Sequence, residues 1–360
     1  MQQANLIKSA GGRARYRAAA KEKSMRIGEH ITTLPCRLCG SAERQVIATR
    51  GRGFVPLTTV VCRSCGLVSH HPLPDPADVA SFYRTQYRVA YKGACEPKRK
   101  HSLRALRGAI SRAQRLAPRL PAGAQVLDIG ASSGEFTYVM GRWGFAARGI
   151  EPNMGYAAFA RRTYGAMVET GEIDDVSITP GSLDLVTLAH VVEHLADPWD
   201  ALRRVHGWLR PQGLLFVEVP NLSGVRKQAA DTFHKAHIWN FTPETLLLLA
   251  WQCGFVPTEG ENTRRTSVVL RKRQALDAAP IGANSVLAER LAHQVTTDGP
   301  ALAYILSGRP IVRRAARLQR NVNEWLACAR YATVREMADA VLGQVGTLKP
   351  AVPPRAAATP

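Results

Sequence analysis

The chain has 360 residues, long enough to bury a sizeable core and to hold more than one domain. Its hydrophobic content of 46% is ordinary for a globular protein, and no apolar run approaches the ~20 residues needed to span a bilayer, which excludes a transmembrane segment of that kind. Lys+Arg exceed Asp+Glu by 48 − 28 = 20, a charge that attracts polyanions: nucleic acid, an anionic membrane surface or phosphorylated substrates.

Residues 1–30 are Arg-rich and acid-poor, with no apolar core followed by a cleavage site, and read as a flexible basic arm on a cytoplasmic protein. Next, Cys36-Arg37-Leu38-Cys39-Gly40 and Cys62-Arg63-Ser64-Cys65-Gly66 repeat one C-x-x-C-G knuckle. Each knuckle lets two thiolates approach one ion, and the trailing glycine permits the turn that brings N–H groups toward sulfur. Cys36, Cys39, Cys62 and Cys65 together complete a tetrahedral, closed and therefore structural Zn²⁺ site. Gln45 to Thr49 and Leu57 to Val61 read as two strands between the knuckles, so 31–72 is expected to be a zinc ribbon. Without a secretion signal, paired cysteines favour metal over disulfides; reduced thiols or a redox pair are the alternatives.

The Pro-rich exit from His71 to Pro76 opens a helical linker, 73–120, with helices over Ala77 to Tyr83 and Lys98 to Leu116. The second helix puts Leu103, Leu106, Ile110 and Leu116 near one face and arginines on the other. From Pro121, strands alternate with helices: Val126–Ile129, Ala146–Ile150, Met167–Glu169, Leu183–Ala189 and Leu214–Val219. Phe255–Glu259 and Ser267–Arg271 look like a final pair. The alternation predicts an α/β fold, a Rossmann-like, mostly parallel seven-stranded sheet over 121–275, preceded by the small ribbon. A helical C-terminal extension, 276–345, and a disordered tail, 346–360, are expected to follow.

The most informative stretch runs from Val126 to Phe136: a buried strand, a turn of small residues, then a helix start. Backbone N–H groups at such a turn can face a ligand closely. Glu151 ends the second apolar run, where nucleoside-binding βαβ units place an acid on a ribose diol roughly 20 residues past the turn. Gly130 to Gly134 also spell G-x-S-x-G, the hydrolase nucleophile elbow with Ser132 as nucleophile, but the strands and the oxyanion-hole segment that should precede it are missing. A dehydrogenase G-x-G-x-x-G fails at Ser132 and Glu135.

Together these segments resemble the cofactor site of class I S-adenosylmethionine (SAM)-dependent methyltransferases, with Ser132 where the family's middle glycine usually stands. The resemblance runs in order from Gln125 to about Arg271 and implies SAM as cofactor. It implies SAM contacts at Asp128, Gly130, Ser132, Gly134 and Glu151, adenine contacts at Glu172 and Ile173, and His190 on the rim. Cys62 to Tyr83 and the segment His237-Ile238-Trp239-Asn240-Phe241-Thr242-Pro243 narrow the likeness to bacterial zinc-ribbon methyltransferases, among them sugar C-methyltransferases. Residues 276–360 depart from the sugar-ketone domain of those enzymes. The implied acceptor is a small, anionic molecule such as a nucleotide-linked sugar or glycan intermediate, with RNA as the rival that the net charge suggests.

A methyltransferase must align a nucleophile with the activated methyl group and remove its proton. His190 and His237 are the expected bases, with His194 a further candidate and Glu193 orienting a partner. The run His190-x-x-Glu193-His194 also resembles the Glu-x-x-Glu-His of metal-assisted O-methyltransferases. Histidine in the first position, with His234 or His237 as a further nitrogen, favours a softer ion than Mg²⁺.

Overall fold

The computed structural model describes residues 25–85, 96–223, 232–274, 285–296 and 309–346. Most of the expected basic arm and C-terminal tail lie outside these residues. An antiparallel sheet comes first: β1 (His30–Thr32), β2 (Glu43–Arg50), β3 (Pro56–Cys62) and β4 (Val68–His70). Helices α1 (Pro76–Thr85) and α2 (Arg99–Leu116) then lead to the second sheet. The expected apolar face of α2 is observed, with Leu103, Leu106, Ile110 and Leu116 all buried.

In the larger sheet β5 (Gln125–Ile129), β6 (Ala146–Glu151), β7 (Val168–Thr170), β8 (Leu183–Ala189) and β9 (Leu209–Glu218) run parallel. Parallel strands need crossovers, and α3 (Glu135–Arg142), α4 (Met154–Tyr164) and α5 (Pro198–Trp208) supply three of them. The central strands β5 and β8 are almost wholly buried, as strands covered on both faces must be.

After β9 the chain returns to the small sheet. Residues Trp239–Asn240 form β10, which pairs antiparallel with β4 in the register Trp239↔Ser69. The ribbon sheet is thus completed from far along the chain, in a segment that carried no strand signal of its own. Helix α6 (Pro243–Gln252) follows, then β11 (Phe255–Pro257) and β12 (Ser267–Lys272), which runs antiparallel to β9. The seven strands take the order β11-β12-β9-β8-β5-β6-β7. This is the Rossmann-like, mostly parallel seven-stranded sheet that the strand alternation predicted.

Among the described residues three helices follow: α7 (Ser285–Thr296), α8 (Arg309–Ala329) and α9 (Val334–Val345). They serve different partners. α7 lies on the ribbon, where Leu287, Ala288 and Leu291 pack with Ile47, Val61 and Val68. At Gly66 (φ +78°) an added Cβ would come within 2.8 Å of Leu287 Cγ, so the second knuckle's glycine serves close packing as well as its turn. α8 and α9 instead lie on α2, where Met337 and Cys328 join Leu103.

Two helix starts position the functional loops. Asp197 caps α5 by accepting the N–H groups of Trp199 and Asp200, with Pro198 at the first turn. Thr242 and Thr245 form a reciprocal capping box at α6. Each cap fixes where its helix begins, and so holds residues 190–197 and 234–241 at the carboxyl end of the parallel strands, where such sheets bind ligands.

Candidate functional site

The four knuckle cysteines converge. Their Sγ atoms all lie within 4.8 Å of one another, with Cys36 and Cys65 at 3.8 Å and Cys39 and Cys62 at 3.4 Å. Left-handed Gly40 and Gly66 close the two turns, each donating its N–H to the carbonyl of the first cysteine in its knuckle. Burial pushes the Cys39 thiol up to about 12, while bonds from Cys36 and Cys65 hold Cys62 far below the usual thiol range. Four sulfurs this close cannot all ionise without a cation among them, and an all-thiolate tetrahedral set suits Zn²⁺.

A cavity of about 710 Å³ opens at the carboxyl end of the larger sheet. Its floor is the turn after β5. Gly130 and Gly134 stand at φ +71° and +84°, and a Cβ would meet Val191 Cγ2 at 2.5 Å or Ala160 Cβ at 2.6 Å, so no larger residue fits either position. Ser132 takes the middle place at φ +53° and donates its N–H to Glu151 Oε2 at 2.9 Å. The other Glu151 oxygen accepts the N–H of Asn153 at 3.2 Å. Gly130, Ser132, Glu151, Glu172, Ile173 and His190 line the cavity.

Asp128 and Gly134 do not line it; they support the turn from behind. Asp128 is 6% exposed and accepts a hydrogen bond from Thr187 Oγ1 at 2.6 Å, tying β5 to β8. Burial raises its carboxyl to about 6. Helix α1 forms the opposite wall through Val79, Ala80 and Tyr83. Arg84 of α1 pairs with Glu172 at 3.2 Å, and burial raises the Glu172 carboxyl above its ordinary range.

The segment after β8 makes a 3₁₀ turn, Val192–His194, rather than opening the next helix. That turn drives the Glu193 side chain inward, where it is 1% exposed. Among the described residues neither carboxylate oxygen has a hydrogen-bond donor. Around Oε1 stand three imidazole nitrogens: His190 Nδ1 at 3.4 Å, His194 Nε2 at 3.8 Å and His237 Nε2 at 4.0 Å. Glu193, His194 and His237 form a convergent group able to hold a metal ion.

Their second contacts fix their orientation. His194 Nδ1 lies 2.6 Å from the Ala236 carbonyl and 2.7 Å from Tyr83 Oη, which itself donates to Ala236. This places the His194 proton on Nδ1 and turns the Nε2 lone pair toward Glu193. His237 packs against the tilted ring of His234, centroids 3.8 Å apart, and burial holds it far below the ordinary histidine range. His190 stands at φ +58° with its side chain 53% exposed to the cavity, and the Glu193 carboxylate raises its pKa.

Sequence reasoning did not find Tyr83, Arg37 or Asp197. Arg37 sits between the first two zinc-ribbon cysteines, yet it lines the cavity, pairs with Asp197 at 2.6 Å and lies over the Trp199 ring. No local pattern marks such residues; they are recruited by the docking of the ribbon on α5 and α6.

Residues 99–259 match the family model of a methyltransferase domain. A ubiquinone biosynthesis O-methyltransferase of Pseudomonas aeruginosa is 32% identical over 108 residues, covering 28% of this chain and 46% of that protein. The protein of that name in Caulobacter vibrioides is 34% identical over 163 residues, 41% of this chain and 64% of its own length. The chain therefore spans about half the length of the first of these curated relatives. Among solved structures, a Burkholderia thailandensis 1,6-didemethyltoxoflavin-N1-methyltransferase with bound S-adenosylhomocysteine is 18% identical, with a TM-score of 0.41 over 58% of this chain and 96% of its own.

Proposed function

We propose that this protein transfers the methyl group of SAM to a hydroxyl oxygen of a small acceptor, at a divalent cation held by Glu193, His194 and His237. The observation that carries the reading is the Glu193 carboxylate, buried with no hydrogen-bond donor and facing three imidazoles. A buried carboxylate whose charged neighbour is only the half-exposed His190 costs several kcal/mol, so the arrangement calls for further positive charge at that point. One carboxylate and two imidazole nitrogens, that of His194 with its tautomer fixed, suit an ion softer than Mg²⁺. The printed names of the two relatives, both O-methyltransferases, support oxygen as the methylated atom.

SAM supplies an already activated methyl group, so the chain has to position its two substrates and move one proton. On this reading Glu151 grips the ribose diol, the N–H groups of the Gly130–Gly134 turn face the amino-acid end, and Ile173 and Glu172 border the adenine. A cation held by Glu193, His194 and His237 would lower the pKa of an acceptor hydroxyl beside it. His190, open to the cavity, takes the proton. The acceptor wall is mostly apolar, with Val79, Ala80, Leu195 and Pro220. An anionic, sugar-linked acceptor would find Arg37 there, already paired with Asp197. This wall favours a small hydroxylated molecule with an apolar body.

Labelled SAM offered with a panel of small hydroxylated acceptors tests the reading. Methyl incorporation should fall on mild chelation that leaves the cysteine-bound zinc in place, and should return with Mn²⁺, Fe²⁺ or Co²⁺. Turnover indifferent to chelation would return the chemistry to His190 and His237 acting as bases alone.

A further inference from the structure

The proposed methyl-transfer site makes no use of α8. One side of this helix is fixed: Glu324 is 5% exposed and bonded to both ends of the Arg104 guanidinium, at 2.9 and 2.6 Å, and Cys328 is buried against α2. Ile311, Leu318, Val322 and Trp325 recur at helical spacing along another side, and Leu326 widens that stripe. This stripe faces solvent. Ile311 is 70% exposed, and Leu318 and Trp325 are each 66% exposed.

One flank is cationic. Arg314 is exposed beside the stripe, Arg317 and Arg320 are exposed farther round on the side of Glu324, and Glu324, already neutralised by Arg104, is the helix's one acid. Between α8 and the start of α2 lies an open cleft of about 480 Å³, with Lys98 and Lys100 on one wall and Asn321, Val322 and Trp325 on the other. Cations thus stand on the same surface as an indole and a row of aliphatic side chains.

We propose that this face of α8 docks the protein on an anionic phospholipid bilayer. The apolar stripe would lie at the acyl boundary, Trp325 at the interface, and Arg314, Lys98 and Lys100 among the headgroup phosphates. An exposed apolar face bordered by basic side chains is what an interfacial helix needs, and anionic lipid complements both at once. A second copy of the chain complements only the apolar part, because it would set cation against cation. The proposal is independent of the chemistry at Glu193.

The test uses the full chain with vesicles of phosphatidylcholine alone and of phosphatidylcholine mixed with phosphatidylglycerol. Cosedimentation is expected with the mixed vesicles and not with the neutral ones. Leu318→Glu and Trp325→Glu should each weaken partitioning at least tenfold with no change in unfolding temperature, since both positions are exposed. Quenching of tryptophan emission by brominated lipid should disappear in Trp325→Phe. Equal vesicle binding by wild type and both Glu variants would reduce the effect to net charge and overturn the proposal. A concentration-dependent dimer abolished by Trp325→Glu, with no vesicle binding, would overturn it in favour of self-association.

Discussion

Glu151 and Glu193 are both buried carboxylates at the rim of the same sheet, yet their surroundings give them opposite properties. Glu151 is met by two backbone N–H groups and stays anchored without any ligand. Glu193 meets imidazoles and no hydrogen-bond donor. We expect Glu151→Ala to weaken S-adenosylhomocysteine binding at least tenfold by calorimetry, because a hydrogen bond to a charged group contributes about 1.5–3 kcal/mol. Glu193→Gln should leave that affinity within about twofold but lower kcat by roughly 10²–10⁴, the range of a lost proton-transfer step. Full turnover in Glu193→Gln would remove Glu193 from the chemistry. Glu151 was legible in the sequence because its distance from a glycine turn is set by one βαβ unit. The His190-x-x-Glu193-His194 spacing was legible too. The orientation of His194 was not, since Tyr83 and Ala236, which fix it, come from two distant segments.

At the scale of elements, periodicity carried the larger sheet well. It located the strands of the sheet and the buried face of α2. It missed β10, which is two residues long and exists only because β4 offers an edge. Past β8 the next helix begins only at Pro198, after the 3₁₀ turn Val192–His194, a local geometry that no periodic pattern of so few residues can encode. The start of α3 yields a prediction about pH. Glu135 is 3% exposed, bonded by Ser133 Oγ, and burial raises its carboxyl to about 7. The unfolded chain should titrate near the ~4.3 of a free glutamate. The folded state therefore holds the proton more tightly, and the contribution is full below about pH 4.3 and lost as pH rises through about 7. Glu135→Gln should flatten the fall in stability between about pH 5 and 7, a change of order 1–3 kcal/mol in denaturant unfolding. An unchanged pH profile in the variant would show that Glu135 ionises freely in the fold.

For the whole molecule, the ribbon and the methyltransferase domain are one structure. Cys36, Cys62 and Cys65 belong to the same buried cluster as Trp199, Phe241 and Leu246. Gln252 of α6 donates to the Leu38 carbonyl within the first knuckle, at 2.8 Å. Elemental analysis should find about one Zn²⁺ per chain, by the four-thiolate rule. Cys62→Ser should remove it, lower the unfolding temperature and lower turnover, even though the cysteines lie outside the catalytic cavity. Normal turnover in a zinc-free variant would show that the ribbon only decorates the domain. Two knuckles pointed to a metal site; they could not tell where the ribbon would dock, since docking depends on pairs such as Arg37 with Asp197. The pairing of Trp239 with Ser69 also sets an order of events during synthesis. The ribosome makes β4 long before β10, so the nascent ribbon waits with one strand edge open while most of the larger sheet is translated. An open edge is a template for wrong partners. Stalling translation just before Trp239 should therefore leave a chain prone to aggregate, and a few more residues should close the gap and bring His237 into place beside Glu193.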